Sequence, residues 1–253
     1  VTATIFAGYL NTSSCRFRTG RLRRRTVPYR TVLSLSRFMR ASPLKAEAPT
    51  TEAPSPRQQA VLDAALALMV DGGDPLTMDA VARRASCSKE TLYKWFGDRD
   101  GLLTATVRWQ ASRVHAGRYE VSDLDAVALR ENLLDFAESW LAVICSRTSV
   151  ALNRIAIAET GSRKSNLGGI VLANGRFAIG ERVKPVLEAG RTAGLLAFDD
   201  SEAAFRTFFG LVGRDIQIRL LLGDALDLDA AGIRSDAARA VEQFLALYRQ
   251  AKP

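Results

Sequence analysis

Histidine and cysteine are scarce in this chain: there is one histidine, His115, and three cysteines, Cys15, Cys87 and Cys145, widely and irregularly spaced, with no Cys-x-x-Cys pair. That set supplies neither a disulfide framework nor a structural zinc site, so the chain reads as cytoplasmic and reduced, needing no metal or cofactor. There is no P-loop and no Gly-x-Gly-x-x-Gly, and a lone histidine offers no nucleophile–base pair; these absences argue against an enzyme. No run approaches the roughly 18 apolar residues of a membrane-spanning helix. What is present is an ordinary globular composition over 253 residues, 47% apolar and 25% charged, enough for one large domain or two small ones.

The formal charge of +8 resembles a nucleic-acid signature until its location is considered. Residues 1–46 hold ten basic side chains and no acid, leaving 25 basic against 27 acidic residues in the rest of the chain. The folded part is thus nearly neutral, and any claim of DNA binding must rest on local motif and geometry. Residues 1–55 lack helical periodicity and divide into an Arg/Ser/Thr-rich stretch and a Pro/Ala/Glu linker, a composition that stays disordered. We read this leader as an upstream stretch ahead of a true start at Met39, which leaves residues 1–38 outside the native protein; a transit peptide and a basic arm on DNA phosphates are the alternatives.

From Pro56 the pattern changes. Val61, Ala64, Ala65 and Leu68 recur at helical spacing before a Gly-Gly stop, which predicts a first helix over about 56–70. Thr77 is placed as the N-cap of a second, short helix with Met78, Val81, Ala82 and Ala85 inward, ending at the polar break Ser86-Cys87-Ser88. A third covers Lys89–Phe96, with Leu92 and Phe96 on one face and Lys89, Thr91, Tyr93 and Lys94 on the others. Two short helices joined by a tight turn make a helix-turn-helix, whose second helix enters the major groove. On this reading Thr91 and Lys89 face base edges, whereas Tyr93 and Lys94 contact the backbone, and Thr77 and Arg99 grip phosphates from the starts of helices two and four.

The run LTMDAVARRASCSKETLYKWFGDRDGLL, within about residues 57–105, resembles the DNA-binding signature of TetR-type transcriptional repressors. It has the capping threonine, the alanine-rich helix, the turn, a Leu-Tyr dipeptide, an aromatic pair and an apolar opening to helix four. Arg99 departs from the lysine common there but keeps a cation, and Trp95 stands before Phe96. About residues 153–224 resemble, more weakly, the C-terminal half of the AefR-like or AcrR-like subgroup.

Helix four is expected to begin near Asp98 and run through LLTATVRWQASRVHAG, leaving the reading head. Five further segments between residues 124 and 250 show helical spacing with no competing strand pattern. The expected fold is therefore all-α: a leader (1–55), a three-helix DNA-binding domain (56–102) and a helical bundle for ligand binding and dimerisation (103–253). The resemblance implies nine or ten helices in all. It also implies a homodimer built from the last two long helices, with Ala204, Phe208, Leu211 and Val212 on one and Ile233, Ala237, Val241, Phe244 and Tyr248 on the other. Trp109, Phe136, Trp140, Arg154 and Phe177 are candidates to line an effector pocket, although aromatics at helical spacing are more often core. His115 is more simply a surface or packing residue than a metal ligand.

The expected function is a DNA-binding transcriptional regulator, a homodimeric repressor released from a palindromic double-stranded operator by a small-molecule effector. A helical interaction module that never touches DNA is the rival from another class.

Overall fold

The computed structural model describes residues 53–72, 76–115, 117, 124–160, 165–226 and 228–250, all within one compact unit, Glu52–Pro253. The expectations for the leader before residue 53 lie outside the described residues.

The first four helices follow their local signals closely. Ser55 caps α1 (Pro56–Asp71) in a reciprocal capping box with Gln58, Pro56 occupies the first turn, and Gly72 ends the helix in a left-handed conformation. Thr77 accepts from the Ala80 amide to start α2 (Met78–Arg84), Ser88 from Thr91 to start α3 (Lys89–Phe96), and Asp98 from Gly101 to start α4 (Arg99–Ala111). The buried face of α1 is Val61, Leu62, Ala65, Leu66 and Met69, rotated from the expected stripe: Ala64 and Leu68 are only half-buried. Gly101 is required where it stands, because any Cβ there would collide with the Phe96 carbonyl as α4 turns off α3.

Helix α4 is shorter than expected. It stops at Ala111, where the Arg182 guanidinium donates to Ala111 O at 2.6 Å and, just beyond the helix, to Val114 O at 3.4 Å. The bundle follows: α5 (Ala126–Cys145), α6 (Arg147–Ala158), α7 (Leu167–Val171), a π-helical turn (Leu172–Phe177), α8 (Ala178–Thr192), α9 (Ser201–Gly213), α10 (Ile216–Leu221) and α11 (Ala230–Tyr248). Helix α7, the π turn and α8 run on without leaving helical backbone angles, so one long helix carries a widened turn in its first half. Gly180 lets that helix lie against α9, since a Cβ there would sit 2.7 Å from the Phe205 ring. Among the described residues there is no strand; a single antiparallel bridge, Leu196 to Arg249, ties the end of α11 to the segment after α8.

Two apolar cores organise these helices. The larger packs α5, α8, α9 and α11 around Phe136, Phe205, Phe208 and Phe244, all without solvent exposure. The smaller holds the reading head around Leu62, Leu66, Val81, Leu92 and Leu103, and it also contains Leu152 and Ala156 of α6 and Leu167 and Ile170 of α7. The head therefore does not close its own core; α6 and α7 complete it. Among the described residues no single helix is long and apolar enough to cross a membrane, and no group of His, Cys, Asp and Glu is placed to hold a metal ion.

Candidate nucleic-acid interface and effector cavity

Helix α3 is anchored by Leu92, which is fully buried, and presents Lys89, Glu90, Tyr93 and Lys94 outward, with Tyr93 51% exposed. Thr91 is half-buried; its hydroxyl lies 3.1 Å from Ser88 Oγ and its amide donates to that same oxygen. Lys89 is not a free cation. Its Nζ lies 2.6 Å from Asp79 Oδ1, and the hydrogen bond and charge of that carboxylate hold the ammonium above the usual lysine range. Glu90 is held below the usual carboxylate range by its own backbone amide and by the Ser88 hydroxyl. Thr77 caps α2 through its oxygen, which leaves its hydroxyl proton free to donate. Arg83, exposed in the last turn of α2, adds a cation the sequence reading passed over.

Arg99 departs from its expected role. Its Nε donates to the Leu76 carbonyl at 3.0 Å and its Nη2 lies 3.5 Å from Glu159 Oε1 at the end of α6. Glu159 is in turn held by the Ser165 hydroxyl. Both charged partners are about two-thirds buried. The side chain expected to grip phosphate is instead a latch joining the start of α4 to the bundle.

A cavity of about 320 Å³ lies behind the head, at the small end of ligand-site volumes. Helix α4 contributes Val107, Gln110 and Ala111, α5 contributes Trp140, Val143 and Ile144, and α6 contributes Ser149, Leu152 and Asn153. The π turn adds Leu172, Gly175 and Arg176, followed by Ile179, Phe209, Gln217 and Leu221 from the helices beyond. One wall is a stack: the Arg176 guanidinium lies 4.1 Å from the centre of the Phe209 ring, which lies 4.0 Å from that of Trp140. Burial lowers the Arg176 pKa, and Glu202 partly offsets that shift.

Four buried polar residues separate sharply here: Thr106, Asn132, Ser149 and Gln110. Thr106 donates to Leu102 O, Asn132 to Ala128 O, and Ser149 accepts from Asn153. Gln110, 4% exposed, donates through Nε2 to Ser146 Oγ at 3.1 Å, yet its Oε1 has no partner among the described residues. The orientation of this amide follows from its neighbour. Ser146 donates to the Val143 carbonyl at 2.6 Å, accepts from the Ser149 amide and lies 3.1 Å from Thr148 Oγ1; with its proton on Val143 it meets Gln110 as an acceptor. A buried acceptor left unmade costs about 1–3 kcal/mol.

Of the five expected pocket residues, only Trp140 lines the cavity. Phe136 is sealed in the bundle core. Trp109 donates its indole N–H to Asp63 on α1 at 2.8 Å. Arg154 caps α10, donating to the Leu220 and Leu221 carbonyls at 2.8 and 3.1 Å. Phe177 points to solvent, 58% exposed. Gln110 was missed, although Leu103, Val107 and Gln110 follow the inward register of α4 and a polar residue at such a position is a signal. Arg176 carried no such signal, since nothing local distinguishes it from other surface arginines.

The dimer expectation also needs correction. Ala204, Phe208, Val212, Ala237, Val241 and Phe244 have essentially no exposed surface within one chain, so they are core and have nothing to offer a second copy. Leu211, Ile233 and Tyr248 are half-buried, packed against that core. The outward ridge of these helices is Ala203 and Gly210 on α9 and Gln243 and Leu247 on α11, flanked by the half-buried Leu211, with Leu247 65% exposed.

Comparison with known proteins agrees with this architecture. Residues 61–106 match the family described as bacterial regulatory proteins of the tetR family, and residues 131–250 match the AefR-like transcriptional repressor C-terminal domain. No curated protein matched. A TetR transcriptional regulator from Agrobacterium tumefaciens is 46% identical, with 78% of this chain and 97% of that one covered and a TM-score of 0.66. The flavonoid-responsive regulator FrrA is 28% identical over 78% of this chain and 98% of its own, with a TM-score of 0.57. A TetR-family regulator from Mesorhizobium loti shares the fold at 23% identity, with 76% and 96% covered and a TM-score of 0.60. With a tetR-type reading head joined to an AefR-like bundle across most of its length, the chain belongs to the TetR family of DNA-binding transcriptional regulators.

Proposed function

We propose that the protein is a homodimeric repressor whose two reading heads bind a near-palindromic operator and let go when a small molecule enters the cavity behind them. The observation that carries this reading is the double duty of α4. Leu102 and Leu103 at its start belong to the core of the head, while Val107, Gln110 and Ala111 further along line the cavity. A ligand that favours one position of α4 thereby favours one spacing of the heads, and such coupling is typically about 1–3 kcal/mol, a 5- to 150-fold change in affinity. Similarity to a flavonoid-responsive regulator supports a small-molecule effector.

For the heads, Thr91 and Lys89 are the base-reading candidates, and Tyr93, Lys94 and Thr77 the phosphate contacts. Lys89 must exchange Asp79 for DNA when it binds. For the dimer, the ridge Ala203, Gly210, Gln243 and Leu247, with Leu211 beside it, is the surface a second copy covers. A Cβ at Gly210 would meet nothing within 4 Å, so the backbone there is open to close approach. Twofold pairing would set the two α3 helices about 34–36 Å apart, one turn of DNA.

The test is fluorescence anisotropy on DNA upstream of the protein's own gene, with light scattering to fix the stoichiometry. Two chains per palindrome, steep loss of affinity with salt, and release by a cavity-filling compound are expected. Binding that no compound weakens would reduce the protein to a ligand-independent DNA binder, and no salt-dependent binding at all would favour the interaction module.

A further inference from the structure

Resting on the reading of this cavity as the effector site, we propose that its ligand is an amphipathic aromatic compound with two unlike polar groups: a hydroxyl donor for Gln110 and an anionic or carbonyl acceptor for Arg176. Three observations fix that chemistry. Gln110 Oε1 is a buried acceptor without a donor, and its amide is held in that orientation by Ser146. A carboxylate or carbonyl placed there would meet lone pairs, so the ligand must bring an O–H or N–H. Elsewhere on the lining, Arg176 has its face occupied by Phe205 and Phe209, and among the described residues no hydrogen bond uses its N–H edge. That edge has only donors, so it takes an acceptor and rejects a second donor. The rest of the lining, with the Trp140 and Phe209 rings, Val107, Leu152 and Ile179, is apolar and partly aromatic, suited to a flat ring body.

The widened helical turn is part of the same site. Gly175 and Arg176 sit on the π turn, which packs against α4; a Cβ at Gly175 would lie 3.9 Å from the Val107 side chain on that helix. A ligand pulled onto Arg176 therefore bears on the helix that carries Gln110 and the head.

The test uses the full chain and three biphenyl probes. The first carries a 4′-hydroxyl and a 4-carboxylate, the second only the carboxylate, and the third only the hydroxyl. Calorimetric titration, cross-checked by quenching of tryptophan fluorescence, should rank the first probe at least tenfold tighter than either of the others. Gln110→Leu should remove the advantage of the hydroxyl and leave that of the carboxylate, and Arg176→Met should do the reverse. Equal affinities for all three probes, no measurable binding, or a hydroxyl preference that survives Gln110→Leu would overturn the assignment. The wild-type ranking decides the matter even if a variant fails to fold. Operator binding measured on the same preparation separates the two readings. If the probes bind in the expected order without releasing DNA, the ligand class stands and the induction cycle falls. If other compounds release DNA while the probes show no preference, the cycle stands and the ligand class falls.

Discussion

The reading head and the bundle behind it are both helical, yet they are built on different terms. Each of the head's four helices starts at a side-chain cap, Ser55, Thr77, Ser88 and Asp98, and the head's core is aliphatic. In the bundle α5, α6, α9 and α11 start at side-chain caps but α7, α8 and α10 do not, and its core is built around four buried phenylalanines. A local cap therefore marks every helix start in the head, whereas α7, α8 and α10 of the bundle begin without one and are placed by packing. The two meet where α6 and α7 lend Leu152, Ala156, Leu167 and Ile170 to the head. A regulator gains from that loan, because a head that cannot complete its core alone must register what happens to α6 and α7.

The largest expected effects test whether the two cores are truly joined. Phe136→Ala empties a fully buried ring site in the bundle and should cost about 3–5 kcal/mol. Leu152→Ala should cost about 2–5 kcal/mol although it lies outside the head in sequence. Calorimetry should show both variants melting in one lowered transition. A Leu152→Ala protein in which the bundle melts alone, leaving the head unchanged, would break the shared-core account.

A second comparison lies within α3, between side chains that position the protein and side chains that read sequence. Thr91→Ala should cost roughly 1–2 kcal/mol of discrimination between operator and random DNA. Lys94→Ala should weaken all sequences alike and lower the slope of log affinity against log salt by about 1. Anisotropy titrations at three salt concentrations on both DNAs would tell the two apart, and equal loss of specificity in both variants would remove the distinction.

The head was the more legible half for a physical reason. Caps, turns and an apolar register are properties of neighbours in sequence, so α1 to α3 fall within a residue or two of where their residues place them. Periodicity likewise revealed the helices of the bundle, but it does not say which of two apolar faces turns inward. Phe208, Val241 and Phe244 carry the stripe of an interface and are core, while the outward ridge contains Gly210 and Gln243, which no hydrophobic pattern would select. Arg99 shows the same limit from the other side: an arginine at a helix start fits a phosphate contact, and only the arrival of Glu159 from 60 residues away makes it a latch.

That latch gives a smaller prediction. Glu159→Gln removes the charge opposite Arg99 but leaves the Leu76 carbonyl bonded to it. Both side chains are about a third exposed, so the change in folding stability should stay below about 1 kcal/mol and shrink in high salt. The ligand-driven change in operator affinity should nevertheless fall several-fold, because the start of α4 would then move with less resistance from α6. Unchanged coupling, measured by operator titration with and without a cavity ligand, would confine the pair to a structural role.

The smallest effect is one of pH, and it sets α3 against the rest of the molecule. Lys89 is held above its ordinary value of 10.5 by Asp79, so the pair stabilises the folded state fully below that value and loses its contribution as pH rises through the raised one. Glu90 is held below its ordinary value of 4.5, so its contribution is present above that value and fades as pH falls through the lowered one. Between these limits both groups stay charged, and the head should show no pH dependence from either. Both lie at the surface, so the steps at the two ends should be slight. Hydrogen exchange of the α3 amides is a more sensitive gauge than global unfolding. Asp79→Asn should abolish the alkaline step while leaving the acid one, and at neutral pH it should raise affinity for any DNA, since Lys89 is then released and an anion removed from the same surface. Weaker DNA binding in that variant would mean that Asp79 holds Lys89 in its working position, and the ion pair would become part of the reading surface rather than a competitor for it.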